Sequence, residues 1–304
     1  MTGSDVKYNN EPAGYTLDPQ EVINYVSAHD NETLFDAVQF KAPRTADMDT
    51  RVRMHNMGHS LVALSQGIPF FHAGDELLRS KSLDRNSYNS GDWFNKVDWT
   101  YQTNNWGVGL PSESDNRDNW PLMRELLGDP ALRPTPAHIA QALAHFQEII
   151  RIRKSSGLFR FQTSEDIQQH VHFENTGPEQ IPGLIVMHLE DARYRSAGAA
   201  TDAVVLFNAS DDPQSFASDT FKNMDLELHP VLKESADALV RTASFEAKSG
   251  TFVVPARTTA VFMSKPPGGT DSGCGCSGAG SAAFSAFGLL LGLGVLRRSR
   301  RREQ

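Results

Sequence analysis

The chain has 304 residues, 39% of them hydrophobic, and a formal charge of −8. Such a length suggests two domains, and an acidic body with ordinary apolar content argues against nucleic acid as a partner. The only cysteines, Cys274 and Cys276, lie near the C-terminus, so the globular part has neither a disulfide framework nor a cysteine metal site.

Residues 1–21 are polar and turn-rich, and Met1–Asn10 lacks the apolar core of a secretory signal. Val22, Ile23, Tyr25 and Val26 form a β-branched and aromatic run that predicts a short buried strand. His29, Asp30 and Asn31 follow where it runs out into a loop. In a parallel α/β barrel, catalytic residues sit at the carboxyl ends of strands. A carboxylate beside an imidazole there suits a hydroxylated substrate, one facing developing positive charge and the other binding hydroxyls. The same residues equally describe an Asp helping to cap a turn and a His in a polar loop.

Asp49 or Thr50 caps a predicted helix running to about Ser65, with Val52, Met57, Leu61 and Leu64 on its apolar side and Gly67 as its stop. His55 and His59 stand four apart, a spacing seen in zinc sites. No Glu follows His55 to act as a base, so solvated or packed histidines are the better reading. Ile68–His72 is a second apolar run, followed by Ala73-Gly74-Asp75-Glu76.

Residues 77–134 show little periodicity and predict a long functional loop region. They include Arg79-Ser80-Lys81-Ser82, Asn86-Ser87-Tyr88 and Ser90-Gly91-Asp92-Trp93-Phe94-Asn95. Exposed Trp, Tyr, Asn, Asp and Arg offer sugars flat apolar faces and planar hydrogen-bonding groups. Thr135-Pro136 then starts a helix, with Ile139, Leu143, Phe146, Ile149, Ile150 and Ile152 at helical spacing until Ser156-Gly157. From Leu158 to Lys265 short alternating segments predict strands at Val171–Phe173, Leu184–Leu189, Ala203–Asn208, Thr251–Val254 and Thr258–Met263. Their spacing indicates an antiparallel β-sandwich. Residues 266–281 read as a Gly/Ser/Cys linker. An uncharged apolar stretch runs from there to Leu296, at the short end of the ~17–25 residues that span a bilayer. Five arginines close the chain, Arg297, Arg298, Arg300, Arg301 and Arg302.

With these residues in view, Asn24-Tyr25-Val26-Ser27-x-His29-Asp30-Asn31-x-Thr33-Leu34 resembles the fourth signature region of the α-amylase clan, in the form of the pullulanase-type debranching enzymes. Tyr8-Asn9, Ala13-Gly14-Tyr15-Thr16-x-Asp18-Pro19, Gly67-Ile68-Pro69 with Gly74-x-Glu76, and the Arg79-Ser80-Lys81-Ser82 and Gly91-Asp92-Trp93-Phe94 segments resemble the same family. The resemblance implies a retaining hydrolase of α-1,6 bonds in pullulan, branched starch and limit dextrin. Asp30 then matches the transition-state-stabilising aspartate and His29 the histidine that binds the reacting sugar. Asn31, Arg79, Asn86, Tyr88, Asp92 and Trp93 become candidate substrate contacts. No metal or other cofactor is read from the chain, and calcium stays open for a complete enzyme.

The expected fold is α/β plus all-β. Residues 1–157 would be the last two β/α units of a (β/α)8 barrel, and 158–265 a β-sandwich resembling the pullulanase C-terminal domain. Residues 282–304 would form a hydrophobic helix with its Arg cluster. With Cys274 and Cys276 that tail resembles MYXO-CTERM sorting tags, which implies export, surface or membrane anchoring, lipidation or processing at a cysteine, and a C-terminal sorting protease. The nucleophile Asp and the acid/base Glu of the clan match no motif here, although Glu32, Glu76 and Asp92 are present. The chain thus reads as a C-terminal portion that needs the N-terminal part of the same enzyme, or as a non-catalytic α-glucan-binding or remnant protein.

Overall fold

The polar opening closes on itself as a hairpin of β1 (Lys7–Tyr8) and β2 (Glu11–Pro12) in a computed structural model that describes residues 7–14 and 16–266. β3 (Ile23–Asn24) then pairs in parallel with β4 (Ile68–Pro69). Their connection holds α1 (Leu34–Lys41) and α2 (Met48–Leu64), because parallel strands need a long crossover. Thr33 caps α1 by accepting from the Asp36 N–H, and Asp47 caps α2 by accepting from the Thr50 N–H. The cap of α2 therefore falls just before the predicted Asp49 or Thr50. Asp47 is extended, with φ −72° and ψ 177°, which aims its carboxylate at a free amide of the first turn. Gly67 turns the chain into β4 at φ +94°, where an added Cβ would lie 3.0 Å from the Val22 carbonyl oxygen.

Both strands are shorter than their apolar runs and are not buried. Ile23, Tyr25, Val26, Ile68 and Phe70 are 57%, 60%, 42%, 43% and 46% exposed, because among the described residues the pair has no third strand beside it. Tyr25 and Phe70 still meet edge to face, ring centroids 6.1 Å apart. A single cluster of Val22, Tyr25, Leu61, Ile68, Phe70 and Phe146 is expected from sequence and does not form. Leu61 and Phe146 pack into the main core, while Tyr25, Ile68 and Phe70 line an open apolar face.

The predicted loop region carries α3 (Gly91–Asn95), α4 (Glu113–Asn116) and α5 (Trp120–Gly128). It wraps a core of its own in which Phe35, Val52, Leu78, Leu83, Trp106, Met123 and Ile139 are buried together. The following helix, α6 (Pro136–Ser155), starts at the predicted Thr135 with a capping box through His138. α6 packs along α2, and Arg153 reaches across to donate to the carbonyls of Ala63 at 2.8 Å, Ser65 at 2.8 Å and Gly67 at 2.7 Å. One guanidinium thus takes up a carbonyl of the last turn of α2 and two of the turn that follows it.

After α7 (Ser164–His170) come β5 (Val171–Phe173), β6 (Leu184–Glu190), β7 (Asp202–Asn208), β8 (Gln214–Ala217), β9 (Leu226–Leu228), α8 (Pro230–Lys233), β10 (Ser244–Glu246), β11 (Thr251–Val254) and β12 (Thr258–Ser264). They form antiparallel sheets of order β5-β6-β7-β12-β9 and β10-β11-β8. Between the sheets Phe252 packs on Phe221, Phe245 and Phe262 at centroid distances of 5.1, 4.5 and 5.1 Å. All five predicted strands are present. β8, β9 and β10 lie outside the predicted set, although β5 and β11 are no longer than they are.

The sandwich shares its core with the helices. Met57, Ala63, Leu64, Ile149 and Ile152 belong to the same buried cluster as Leu189, Val205 and Val261, and the described residues fall within one compact unit. Arg53 forms a bidentate pair with Asp237 at 2.9 and 2.7 Å, and Glu148 accepts from Ser235 Oγ at 2.7 Å. The linker from residue 267 on, Cys274, Cys276 and the apolar stretch at 282–304 lie outside the described residues. Among those described, no helix is long and apolar enough to cross a membrane.

Arg153→Met keeps most of the apolar stem and removes three charge-assisted donors from buried carbonyls. It is expected to cost about 2–4 kcal/mol, read as a lower urea midpoint at unchanged slope. A midpoint equal to that of the parent would mean that water replaces the guanidinium without loss.

Candidate functional site

His29, Asp30 and Asn31 follow the carboxyl end of β3. Asn31 lies in the left-handed region at φ +61°, which Asn tolerates better than most residues. The His29 and Asp30 side chains project outward, 86% and 77% exposed, with His29 Nδ1 3.1 Å from Asp30 Oδ1. The backbone beneath them is held. Lys81, only 1% exposed, donates from Nζ to the His29 carbonyl at 2.9 Å and the Asn31 carbonyl at 2.6 Å. It grips both sides of Asp30 without touching the carboxylate.

Lys81 is itself placed by Asp36. That buried carboxylate accepts from Ser80 Oγ at 2.5 Å, from the Lys81 N–H at 2.8 Å and from the Leu83 N–H at 3.2 Å. Burial pushes its pKa up to about 6, although the hydrogen bonds from Ser80, Lys81 and Leu83 pull the other way. The segment it grips is strained: Leu78, Ser82 and Leu83 have φ of +58°, +53° and +69°. Each such non-glycine residue costs roughly 1–2 kcal/mol, so the segment keeps its shape only because the carboxylate and the core around Leu78 and Leu83 impose it.

A second buried acid steadies the approach to the loop. Asp75 Oδ2 accepts from Ser27 Oγ, and the Asp75 carbonyl lies 2.8 Å from His55 Nε2, which donates to it. Burial pushes the Asp75 carboxyl up to about 7. His72 Nδ1 stands 3.7 Å from Asp75 Oδ1, and burial, with Arg79 nearby, pushes His72 down to about 4. His55 and His59 are both buried, their rings 4.7 Å apart, and His59 packs on Phe71 and Phe146 at 5.7 and 5.2 Å. They are packed histidines, as the missing Glu suggests.

The remaining candidates divide in two. Arg79 donates to the carbonyls of Ala73 at 2.9 Å and Asn95 at 2.7 Å and lies 3.1 Å from His72 Nε2, so its two terminal nitrogens tie the segment after β4 to α3. The Asn86 N–H closes a turn on Asp84 Oδ1 at 3.0 Å. Tyr88 stands free at 82% exposure. Asp92 and Trp93, on α3, line a cleft of about 410 Å³ with Lys96, Trp106 and Arg133, and Trp93 Nε1 donates to the Val108 carbonyl at 2.9 Å. Ser82 Oγ reaches the carbonyl of Gly109 at 2.6 Å, next to Val108 in the cleft lining, so the chain beside the cleft and the Asp30 loop hang from neighbouring residues of one strained segment. Glu32 and Glu76 join neither group. Glu76 accepts from the Gly74 N–H at 2.9 Å.

Sequence reasoning missed the residues that hold the loop: Ser27, Asp36, Asp75, and Lys81 as a cation aimed inward. One signal was present. Asp36 lies three residues after the cap Thr33, on the stripe of Phe35 and Gln39 that α1 buries, and a buried carboxylate needs donors.

Lys81→Met is expected to raise amide hydrogen exchange at residues 30–32 by at least about tenfold, since the loop then opens locally and no longer with the core. Exchange unchanged at these amides would show that Lys81 is not what fixes the loop. Stability should also fall in acid. Burial holds His55 and His145 down at about 4, so their contribution is present above the unfolded value of about 6.5 and lost as pH falls towards 4. Asp36 and Asp75 run oppositely, contributing fully below their unfolded value of 3.8 and losing this as pH rises through about 6 and about 7. His59, His72 and His229 are depressed as well, so histidines prevail. Unfolding free energy should drop by roughly 2–4 kcal/mol from about pH 7 to about pH 5, and less in His55→Gln; a flat profile in urea unfolding would refute this.

The profile for alpha-1,6-glucosidases, pullulanase-type, C-terminal, matches residues 101–265. The chain is 50% identical to the chloroplastic pullulanase 1 of Arabidopsis thaliana over 271 residues, covering 86% of this chain and 28% of that protein. It is 40% identical to the pullulanase of Klebsiella pneumoniae over 278 residues, 90% of this chain and 25% of that protein. The crystal structure of apo pullulanase from Klebsiella pneumoniae superposes with a TM-score of 0.80 at 39% identity, over 88% of this chain and 29% of that one. The same organism's pullulanase complexed with maltotriose superposes with a TM-score of 0.80 at 39% identity, over 89% of this chain and 26% of that one. The chain thus spans about a quarter of the length of these curated relatives. With the family profile matching more than half of its residues, the chain belongs to the pullulanase-type α-1,6-glucosidases and carries their C-terminal region.

Proposed function

We propose that this chain supplies one wall of the active site of an α-1,6-glucan debranching hydrolase, with Asp30 as transition-state stabiliser and His29 as a contact to the reacting sugar. The observation that supports this best is the Asp30 carboxylate itself, exposed at the carboxyl end of a parallel strand, with its backbone clamped on both sides by Lys81. A glycosyl transition state spreads positive charge over the ring carbon and oxygen, and a fixed, unneutralised carboxylate is worth more there than in the bound substrate. Trp93, beside Asp92 in its cleft, offers a flat face for a glucose ring. The substrate class is branched α-glucan: pullulan, branched starch and limit dextrin.

A retaining mechanism needs a nucleophile and an acid/base in addition. The pair comes from the N-terminal part of the same enzyme, whose strands also cover the open face of Ile23, Tyr25, Ile68 and Phe70. In that enzyme residues 1–157 serve as the last two β/α units of the barrel, and the tail with Cys274 and Cys276 serves as a sorting tag through which a sorting protease anchors the protein at the surface or membrane.

Two preparations test it. The chain alone should not release reducing ends from pullulan, whereas the chain joined to the N-terminal three quarters of Klebsiella pneumoniae pullulanase should. In the joined enzyme Asp30→Asn should lower kcat by at least ~10²–10³, the scale of losing one electrostatic stabiliser, with KM changing far less. His29→Ala should raise KM as well as lower kcat. Near-normal kcat in Asp30→Asn, or hydrolysis by the chain alone that Glu76→Gln abolishes, would overturn the assignment.

A further inference from the structure

Four side chains on the β-sandwich take no part in the site at Asp30. His172 on β5 is the register partner of His188 on β6, and Glu190 on β6 is the partner of Asp202 on β7. His188 and Glu190 are two apart on one strand, so all four share a face and form a square of two imidazoles and two carboxylates. His188 Nε2 lies 3.2 Å from Asp202 Oδ1, and His172 Nε2 lies 3.2 Å from Glu190 Oε1. The ligand atoms of His188, Glu190 and Asp202 all lie within 4.8 Å of one another, and His172 stands outside that group, next to it through Glu190. Ligands about 2.0–2.1 Å from a tetrahedral zinc ion sit roughly 3.4 Å apart, close to both pair distances. Glu190, half-exposed, is the side chain free to rotate and close the wider gap.

Three further features point to a cation. Among the described residues the buried His172 Nε2 has no hydrogen-bond partner despite its 3.2 Å approach to Glu190, so the contact is not aligned as a hydrogen bond. Among the described residues, histidine supplies the only cationic nitrogens within 4.0 Å of Glu190 and Asp202. Two carboxylates are thus left without Lys or Arg. Finally, the ligands are preset. The His188 ring is fixed against Phe221 at 5.3 Å, and Thr201 Oγ1 holds Asp202 Oδ2 at 2.7 Å, the outer-shell hydrogen bond that orients a ligating carboxylate. His172 and Glu190 are 40% and 50% exposed, which gives an ion its way in.

We propose that His172, His188, Glu190 and Asp202 bind one divalent transition-metal ion, zinc in preference to calcium or magnesium, and so clamp β5, β6 and β7 at one end of the five-stranded sheet. Imidazole nitrogens select the later first-row metals, whereas calcium and magnesium favour all-oxygen sites. An ion bound only to the folded state raises stability by mass action.

The test uses the tag-free full chain with Cys274→Ser and Cys276→Ser, so that thiols contribute nothing, and zinc chloride as the probe in calorimetric titration. One zinc per chain should bind with Kd of ~10 µM or tighter, raise Tm by several degrees, and give way to a chelator. His172→Ala with Glu190→Gln, both at exposed positions, should weaken binding at least ~100-fold, and Glu190→Gln alone at least ~10-fold, with the metal-free Tm unchanged. Absence of saturable zinc binding below ~100 µM, zinc binding equal in parent and double variant, or calcium binding as tightly as zinc would overturn the proposal. None of these readouts involves glucan hydrolysis, so they stand or fall apart from the function proposed for Asp30.

Discussion

The buried carboxylate of Asp36 is the constraint from which the candidate site follows. Among the described residues it has no counter-charge in direct contact, and it is stabilised instead by Ser80 Oγ and the amides of Lys81 and Leu83. Those three donors come from a segment whose φ angles no unsupported Leu or Ser would choose. Each side of the arrangement makes the other affordable. The carboxylate needs donors that only the contorted segment can present, and the segment needs an anchor worth more than its strain. Lys81 is delivered to the Asp30 loop as a consequence.

The helices and the sandwich depend on each other in a comparable way. The turn from α2 into β4 leaves the carbonyls of Ala63, Ser65 and Gly67 to be satisfied, and Arg153 of α6 donates to all three. α6 in turn is pinned to the sandwich, where Glu148 accepts from Ser235 Oγ and the Ala236 N–H. Ile149 and Ile152 enter the core of the five-stranded sheet. The sandwich thus acts as the base on which α2 and α6 stand, and those helices set where β4 and its following segment run. A substitution in the sandwich core therefore reaches the Asp30 loop through α6 and α2 and not through direct contact.

The long elements were legible in the amino-acid pattern because their signals are local. Thr135-Pro136 and a stripe from Ile139 to Ile152 fix α6 almost to the residue, and alternation fixes β6, β7 and β12. His29 and Asp30 were legible as a motif at a strand end. The holding network was not, because its partners lie 44 to 52 residues apart in sequence and no periodicity links an Asp on α1 to a Ser and a Lys in a loop. The exposure of β3 and β4 was misread for a related reason. A run such as Val22-Ile23-Asn24-Tyr25-Val26 records what a strand is fit to bury, while its burial here depends on neighbours that the described residues do not provide.

The choice of target for Lys81 carries a further consequence for the proposed chemistry. A lysine this close to Asp30 had two ways of fixing it: pairing with the carboxylate, or gripping the backbone on either side. Pairing would have oriented the group while cancelling the charge a cationic transition state needs, and at ~4 Å separation an opposing charge is worth several kcal/mol even at moderate effective dielectric. Gripping the His29 and Asn31 carbonyls orients the same residue and leaves its charge unspent. The cation is balanced instead by Asp36 and Asp84, both of which bear on its own pKa. On the reading proposed for Asp30, positioning and electrostatics are thereby divided between residues: Asp36 fixes Lys81, Lys81 fixes the backbone, and the Asp30 carboxylate faces outward with His29 beside it.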